Sequence, residues 1–217
     1  MALVGAGVMA LLWRFNYGPY SGSYSMYLVV NMIALFWLPI MSILLVLGGD
    51  VGEFGLSSAS AGIWAAAAVL LVGALVLEFF ASGRAVFQQQ YPWFRHYTEF
   101  ASVFSEYPRT NPYISFPWMM LYAEASYAMY LLCWEFFFRG YLLFGLARSI
   151  GWSAIVVQAA AFGALHYGKP APEMAASFGA GLVLGILAFR ASSFVPGFVV
   201  HAAASLAFNV MVTARRV

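Results

Sequence analysis

The sequence predicts an all-α, polytopic membrane protein, with about six to eight transmembrane or re-entrant helices around a polar intramembrane cavity. Three observations carry this. The chain is 64% hydrophobic with a mean hydropathy of +0.84. Only 8% of it is charged, against roughly 25% in soluble domains. Its apolar runs are long enough to cross a bilayer, which takes about 20 residues, and a few ionisable side chains sit inside them. The net charge of +2 and the scattered basic residues exclude a nucleic-acid partner. A single cysteine, Cys133, excludes an internal disulfide framework and a cysteine-built metal site.

Residues 1–13 are apolar but too short to span, and they lack the basic start and small-residue cleavage site of a signal peptide. They read as an interfacial piece or the stub of a longer first helix. Residues 14–24, with Gly18, Pro19, Gly22 and several tyrosines, read as an interfacial loop. The first span is 26–47, carrying Asn31 and kinked by Pro39; the second is the alanine-rich 63–81, with Glu78 near its end, snorkelling or paired to Arg84. Residues 83–112 interleave Arg84, Arg95, His96, Glu99, Glu106 and Arg109 with aromatics, which suits an amphipathic stretch on the bilayer surface, over the mouth of a site.

Residues 114–150 are too long for one upright crossing and must tilt, break or divide. Within them Glu124 and Glu135 return to nearly the same helix face, and Glu135 and Arg139, at i and i+4, pair. Residues 152–165 form a short apolar helix ending in His166, and 167–173 a turn holding Lys169. The span 174–189 carries the Gly181/Gly185 close-approach motif. The last span, 194–212, sets His201, Ser205 and Asn209 at i, i+4 and i+8, one face within a drift of about 80°. The chain divides into N-terminal membrane helices with the interfacial loop (1–112, the loop being 83–112) and a catalytic-type helical core (113–217), expected to fold as one unit. With Arg14, Arg84, Arg95, Arg109, Lys169, Arg215 and Arg216 on one side, the positive-inside rule places that side in the cytoplasm.

Ionisable residues in hydrocarbon are costly and mark functional sites. Glu135 with Arg139, His166 at a helix end, and His201 with Ser205 and Asn209 therefore read as one joint site. Trp134-Glu135-x-x-x-Arg139, Phe162-x-x-x-His166 and the segment GAGLVLGILAFRASSFVPGFVVHAAAS containing His201 together resemble the CAAX prenyl endopeptidase and bacteriocin-processing family, abortive-infection-like proteins that are glutamic-type intramembrane proteases. The resemblance covers about 123–209. It implies that Glu135, Arg139, Phe162, His166 and His201 occupy the family's motif positions around a water-filled cavity. Trp134 stands where the family has a first glutamate, used to activate water, and Ser205 where it has an asparagine.

The expected chemistry is hydrolysis near the embedded or lipidated end of a polypeptide. Glu135 deprotonates water with help from His166, Arg139 holds Glu135, and His201 with Ser205 or Asn209 donates to the developing oxyanion. Phe162, Trp134 and Glu124 are the candidate substrate-binding residues. Two histidines and a glutamate can also hold zinc, but the resemblance implies metal-free chemistry, so no cofactor is expected and zinc is the alternative. The expected partners are the lipid bilayer and a membrane protein or lipidated peptide: a CAAX-type tail, a bacteriocin leader or a C-terminal sorting helix, of which the WEFFFRG variant favours the last. The sequence sets no oligomeric state. The expected location is a prokaryotic inner (cytoplasmic) membrane. A catalytically impaired relative serving as a binding, escort or immunity protein is the alternative function. A small carrier would require pseudo-symmetric halves, which the sequence lacks.

Overall fold

Segments this apolar must satisfy their backbone groups internally, and within a bilayer a chain without alternating strand patterns does so as helices. The computed structural model describes residues 1–16 and 22–215. Its main elements are α1 (Ala2–Asn16), α2 (Tyr24–Val46), α3 (Ala61–Ala81), α4 (Ala85–Gln90), α5 (Pro117–Ile150), α6 (Ser153–Ala164), α7 (Ala171–Ala191) and α8 (Val195–Ala214). Five of these, α2, α3, α5, α7 and α8, are long and apolar enough to cross a membrane; α1 and α6 are shorter apolar helices. The only extended pairing among the described residues is the single bridge between Leu56 and Ser193.

The helix starts follow from local chemistry. Ser23 caps α2 through Met26 N–H, and Ser60 caps α3 through Ile63 N–H. Proline stands in the first turn of α5, α7 and α8, where its missing N–H costs nothing. In α2 the expected kink at Pro39 takes the form of wide π-turns on either side, Ile33–Trp37 and Ser42–Val46. The expected loop over 14–24 is helical through Asn16, with helix resuming at Tyr24; residues 17–21 lie outside the described residues. Asn31, polar within a span, is satisfied by reciprocal amide bonds to Asn16 of α1, at 3.1 and 2.9 Å.

Helix α5 is the axis of the bundle. It neither breaks nor divides: 34 residues run continuously, about 51 Å at 1.5 Å per residue, with a π-helical stretch over Phe136–Leu142. Of its most apolar window 78% is buried inside the protein, against 6% for α3, most of whose apolar surface the protein leaves uncovered. Around α5 pack α2, α6 and α8, while α3 lies along α8 and α7 along α6. The last contact is the closest. A Cβ on Gly181 would stand 3.0 Å from Ala159 Cα, and one on Gly185 only 2.4 Å from Gln158 Nε2, which donates to the Gly181 carbonyl at 2.8 Å. Here small residues admit a neighbouring backbone and a buried amide ties the two helices.

The segment 83–112, expected as an amphipathic stretch on the bilayer surface over the mouth of a site, turns part of its aromatic side into the protein. Trp93, Phe94 and Phe100 turn inward and are buried around Tyr24, whose hydroxyl is anchored to α5 at the Ala123 carbonyl (3.1 Å) and Ser126 (2.9 Å). Edge-to-face rings, such as Tyr24 against Phe100 at 5.1 Å and 89°, gain more from each other than from lipid tails. One continuous buried cluster takes residues from both parts of the chain, from Leu12 and Tyr24 to Phe137 and Phe208.

Candidate active site

The site is built where α5, α6 and α8 meet. On α5 the regular helix ends at Glu135 and the π-helical stretch begins at the next residue. Gly140 lets the loop at Phe54 come close, since a Cβ there would fall 2.8 Å from the Phe54 carbonyl oxygen. The expected pair forms: Arg139 Nη1 donates to Glu135 Oε1 at 3.0 Å, and both side chains are fully buried. His201 on α8 adds a second contact to that oxygen, its Nδ1 lying 2.7 Å away. Glu135 Oε2 and Arg139 Nε and Nη2 have no hydrogen-bond partner among the described residues.

A cavity of about 880 Å³ opens beside this pair. His201, His166, Trp134, Phe162 and Ser205 line it, whereas Glu135 and Arg139 do not. The carboxylate therefore meets the cavity only through His201. With Nδ1–H directed at the carboxylate, the imidazole presents Nε2 as an acceptor. His166, in the turn between α6 and α7 and outside the spans, directs Nδ1 to the Phe162 carbonyl at 2.8 Å, so it too presents Nε2 as an acceptor. Burial holds its pKa down at about 4, only partly opposed by the Phe162 carbonyl, so the ring is neutral at pH 7.

Phe162 lies among these groups. Arg139 Cζ stands 4.1 Å over its ring, and its centroid is 4.6 Å from His166, 5.9 Å from His201 and 5.7 Å from Trp134. Trp134, 7% exposed, packs across the cavity wall against Tyr130, Phe138 and His166. Ser205, one turn beyond His201, faces the cavity beside Tyr127.

Two of the sequence-derived candidates sit elsewhere. Asn209 is fully buried and donates from Nδ2 to Glu124 Oε2 at 3.1 Å; the other Glu124 oxygen accepts from the Tyr113 hydroxyl. Glu124 and Glu135 do share the α8-facing side of α5, but each has a different partner there. The Asn209–Glu124–Tyr113 chain ties α8, α5 and the turn at Pro112–Ser115 together, away from the cavity. Glu78 faces the cavity and does not pair with Arg84.

Sequence reasoning did not single out five further residues of the cavity. Tyr91, Tyr127, Tyr130, Lys169 and Glu173 line it, with Tyr91 donating to Glu173 and Lys169 Nζ 3.4 Å from the Tyr91 hydroxyl. Burial lowers the Lys169 pKa and raises that of Tyr91. The available signal was Lys169 itself, three residues past His166 in a turn otherwise free of charge until Glu173. For zinc, Glu135 is a poor third ligand, since its Oε1 is already shared by Arg139 and His201 and the residue does not line the cavity. Among the described residues no three His, Cys, Asp or Glu side chains gather to hold a metal.

Residues 116–207 match the family model described as Rce1-like, type II CAAX prenyl endopeptidase. This is the family that the sequence motifs resemble, matched over 92 of the 217 residues. The matched segment contains Trp134, Glu135, Arg139, Phe162, His166, His201 and Ser205, and leaves Asn209 and the first 115 residues outside. No curated protein and no solved structure matches the chain. An Rce1-like core implies an integral membrane peptide hydrolase, and the apolar helices agree with that location.

Proposed function

We propose that this protein is an intramembrane endopeptidase that cleaves near the membrane-embedded or lipidated end of a polypeptide in a prokaryotic inner membrane. The observation that carries the reading is the shared oxygen: Arg139 and His201 both bond Glu135 Oε1, and of the three only His201 borders the cavity. In this reading Glu135 activates water through His201. The Nε2 of His201 takes a proton from water as the oxygen attacks the peptide carbonyl, and the buried carboxylate stabilises the resulting imidazolium, as in an acid-oriented histidine base. His166 Nε2 accepts the other hydrogen of the water and fixes its direction. Both imidazoles act as acceptors, so the oxyanion takes its hydrogen bonds from hydroxyl donors on the wall, with Ser205 the nearest candidate along α8. His201 then returns its proton to the leaving amine, giving a new carboxylate and a freed amine.

A second reading rests on Trp134. Its ring packs against Phe162 and His166 where the family carries a carboxylate, which favours a binding, escort or immunity protein that has lost hydrolysis. Incubation of the purified protein with farnesylated and unmodified C-terminal peptides, followed by mass spectrometry, separates the two. Cleavage by the natural chain supports the protease; cleavage only after Trp134→Glu supports the impaired relative.

A further inference from the structure

We infer that Phe162 is a positioning residue whose ring holds the Arg139 guanidinium, and through it the Glu135–His201 pair, rather than a wall that grips substrate. The inference rests on the protease reading for its kinetic consequences. Phe162 is 2% exposed, so little of its ring is available to a ligand. What the ring touches is the site itself. The Arg139 guanidinium lies over it at 4.1 Å, while His166 and His201 approach at centroid distances of 4.6 and 5.9 Å.

Arg139 needs such a partner. It is fully buried, and among the described residues Nε and Nη2 find no acceptor, which leaves the single bond from Nη1 to Glu135. A guanidinium held by one bond can pivot about it. An aromatic face directly beneath the carbon compensates the desolvated charge and fixes the plane of the group. The Glu135 oxygen that Arg139 holds is the same one that orients His201 Nδ1, so any pivot is passed to the imidazole. The backbone of Phe162 acts in parallel, its carbonyl setting the His166 tautomer. An aliphatic side chain at 162 keeps the carbonyl and most of the volume but lacks the π face. Misplacement on the scale of 1 Å costs about 100-fold in rate.

The test compares Phe162→Leu, Phe162→Tyr and Arg139→Lys, with the double variant Phe162→Leu/Arg139→Lys. Phe162→Leu is expected to lower kcat by about 10- to 100-fold with KM within about twofold. Phe162→Tyr retains most of the rate, and the double variant is no slower than the slower single variant, because both changes act on one element. A raised KM with unchanged kcat, or losses that multiply in the double variant, would overturn the inference. The chain has three histidines, so ¹⁵N-histidine spectra give a readout independent of turnover. Phe162→Leu is expected to move the His201 ring signals and leave those of His96 in place, even in a preparation that cleaves nothing. Unmoved His201 signals would overturn the inference, whereas absence of cleavage by the natural chain counts against the protease reading alone.

Discussion

His201 Nδ1 lies 2.7 Å from Glu135 Oε1, the oxygen that Arg139 Nη1 approaches at 3.0 Å. That one atom joins a buried cation, a buried carboxylate and the imidazole that borders the cavity. In the proposed mechanism Glu135 orients His201, so Glu135→Gln should keep the shape of the site while offering an amide N–H to Nδ1 and favouring the wrong tautomer. The expected result is a drop in kcat of about 10³- to 10⁴-fold with little change in KM. Steady-state cleavage of a fluorogenic peptide measures it.

Breaking the ion pair from the other side should show in stability. Arg139→Met leaves a fully buried carboxylate with the His201 contact alone and is expected to cost about 3–5 kcal/mol. Adding Glu135→Leu should recover most of that loss, since it removes the stranded charge. Thermal unfolding of the two variants in the same detergent provides the comparison.

The α6–α7 contact sets a contrast between two glycines of one helix. Gly181→Val would press on the Ala159 backbone, and the expected cost is about 1–3 kcal/mol. Gly179→Ala, where a new Cβ meets nothing within 4 Å, should leave the melting temperature unchanged or slightly higher. Equal losses at both positions would contradict the close packing at Gly181.

His166 gives stability a pH dependence of definite sign. Its folded pKa is lowered by burial from 6.5 to about 4, so between those values the unfolded chain binds more protons than the folded one. The contribution is fully present above pH 6.5 and is lost as pH falls toward 4, amounting to roughly 3 kcal/mol at the acid end. Unfolding of the natural protein and His166→Asn across this range should show a shallower acid slope for the variant.

Much of the site could be read from the sequence because its residues break apolar runs at helical spacing. Glu135 and Arg139 at i and i+4 form the pair they predict, and Phe162 and His166 share a face of α6 and its following turn. The i, i+8 drift of about 80° carries Asn209 away from His201 and onto Glu124, a partner that no spacing within α8 could reveal. Nor does a sequence show which side of a helix meets the cavity, so the burial of Glu135 behind His201 emerges only in three dimensions. The inward turn of Trp93, Phe94 and Phe100 was hidden for another reason: mixed charge and aromaticity suit a lipid interface and an aromatic cluster equally well.

The most direct test of the account is cleavage by His201→Gln, with His96→Gln as the control, measured by mass spectrometry in H₂¹⁸O. The natural chain and His96→Gln should release a fragment carrying one ¹⁸O in its new carboxylate, and His201→Gln should release at least about 10³-fold less per unit time. Cleavage by His201→Gln at the natural rate would contradict the account.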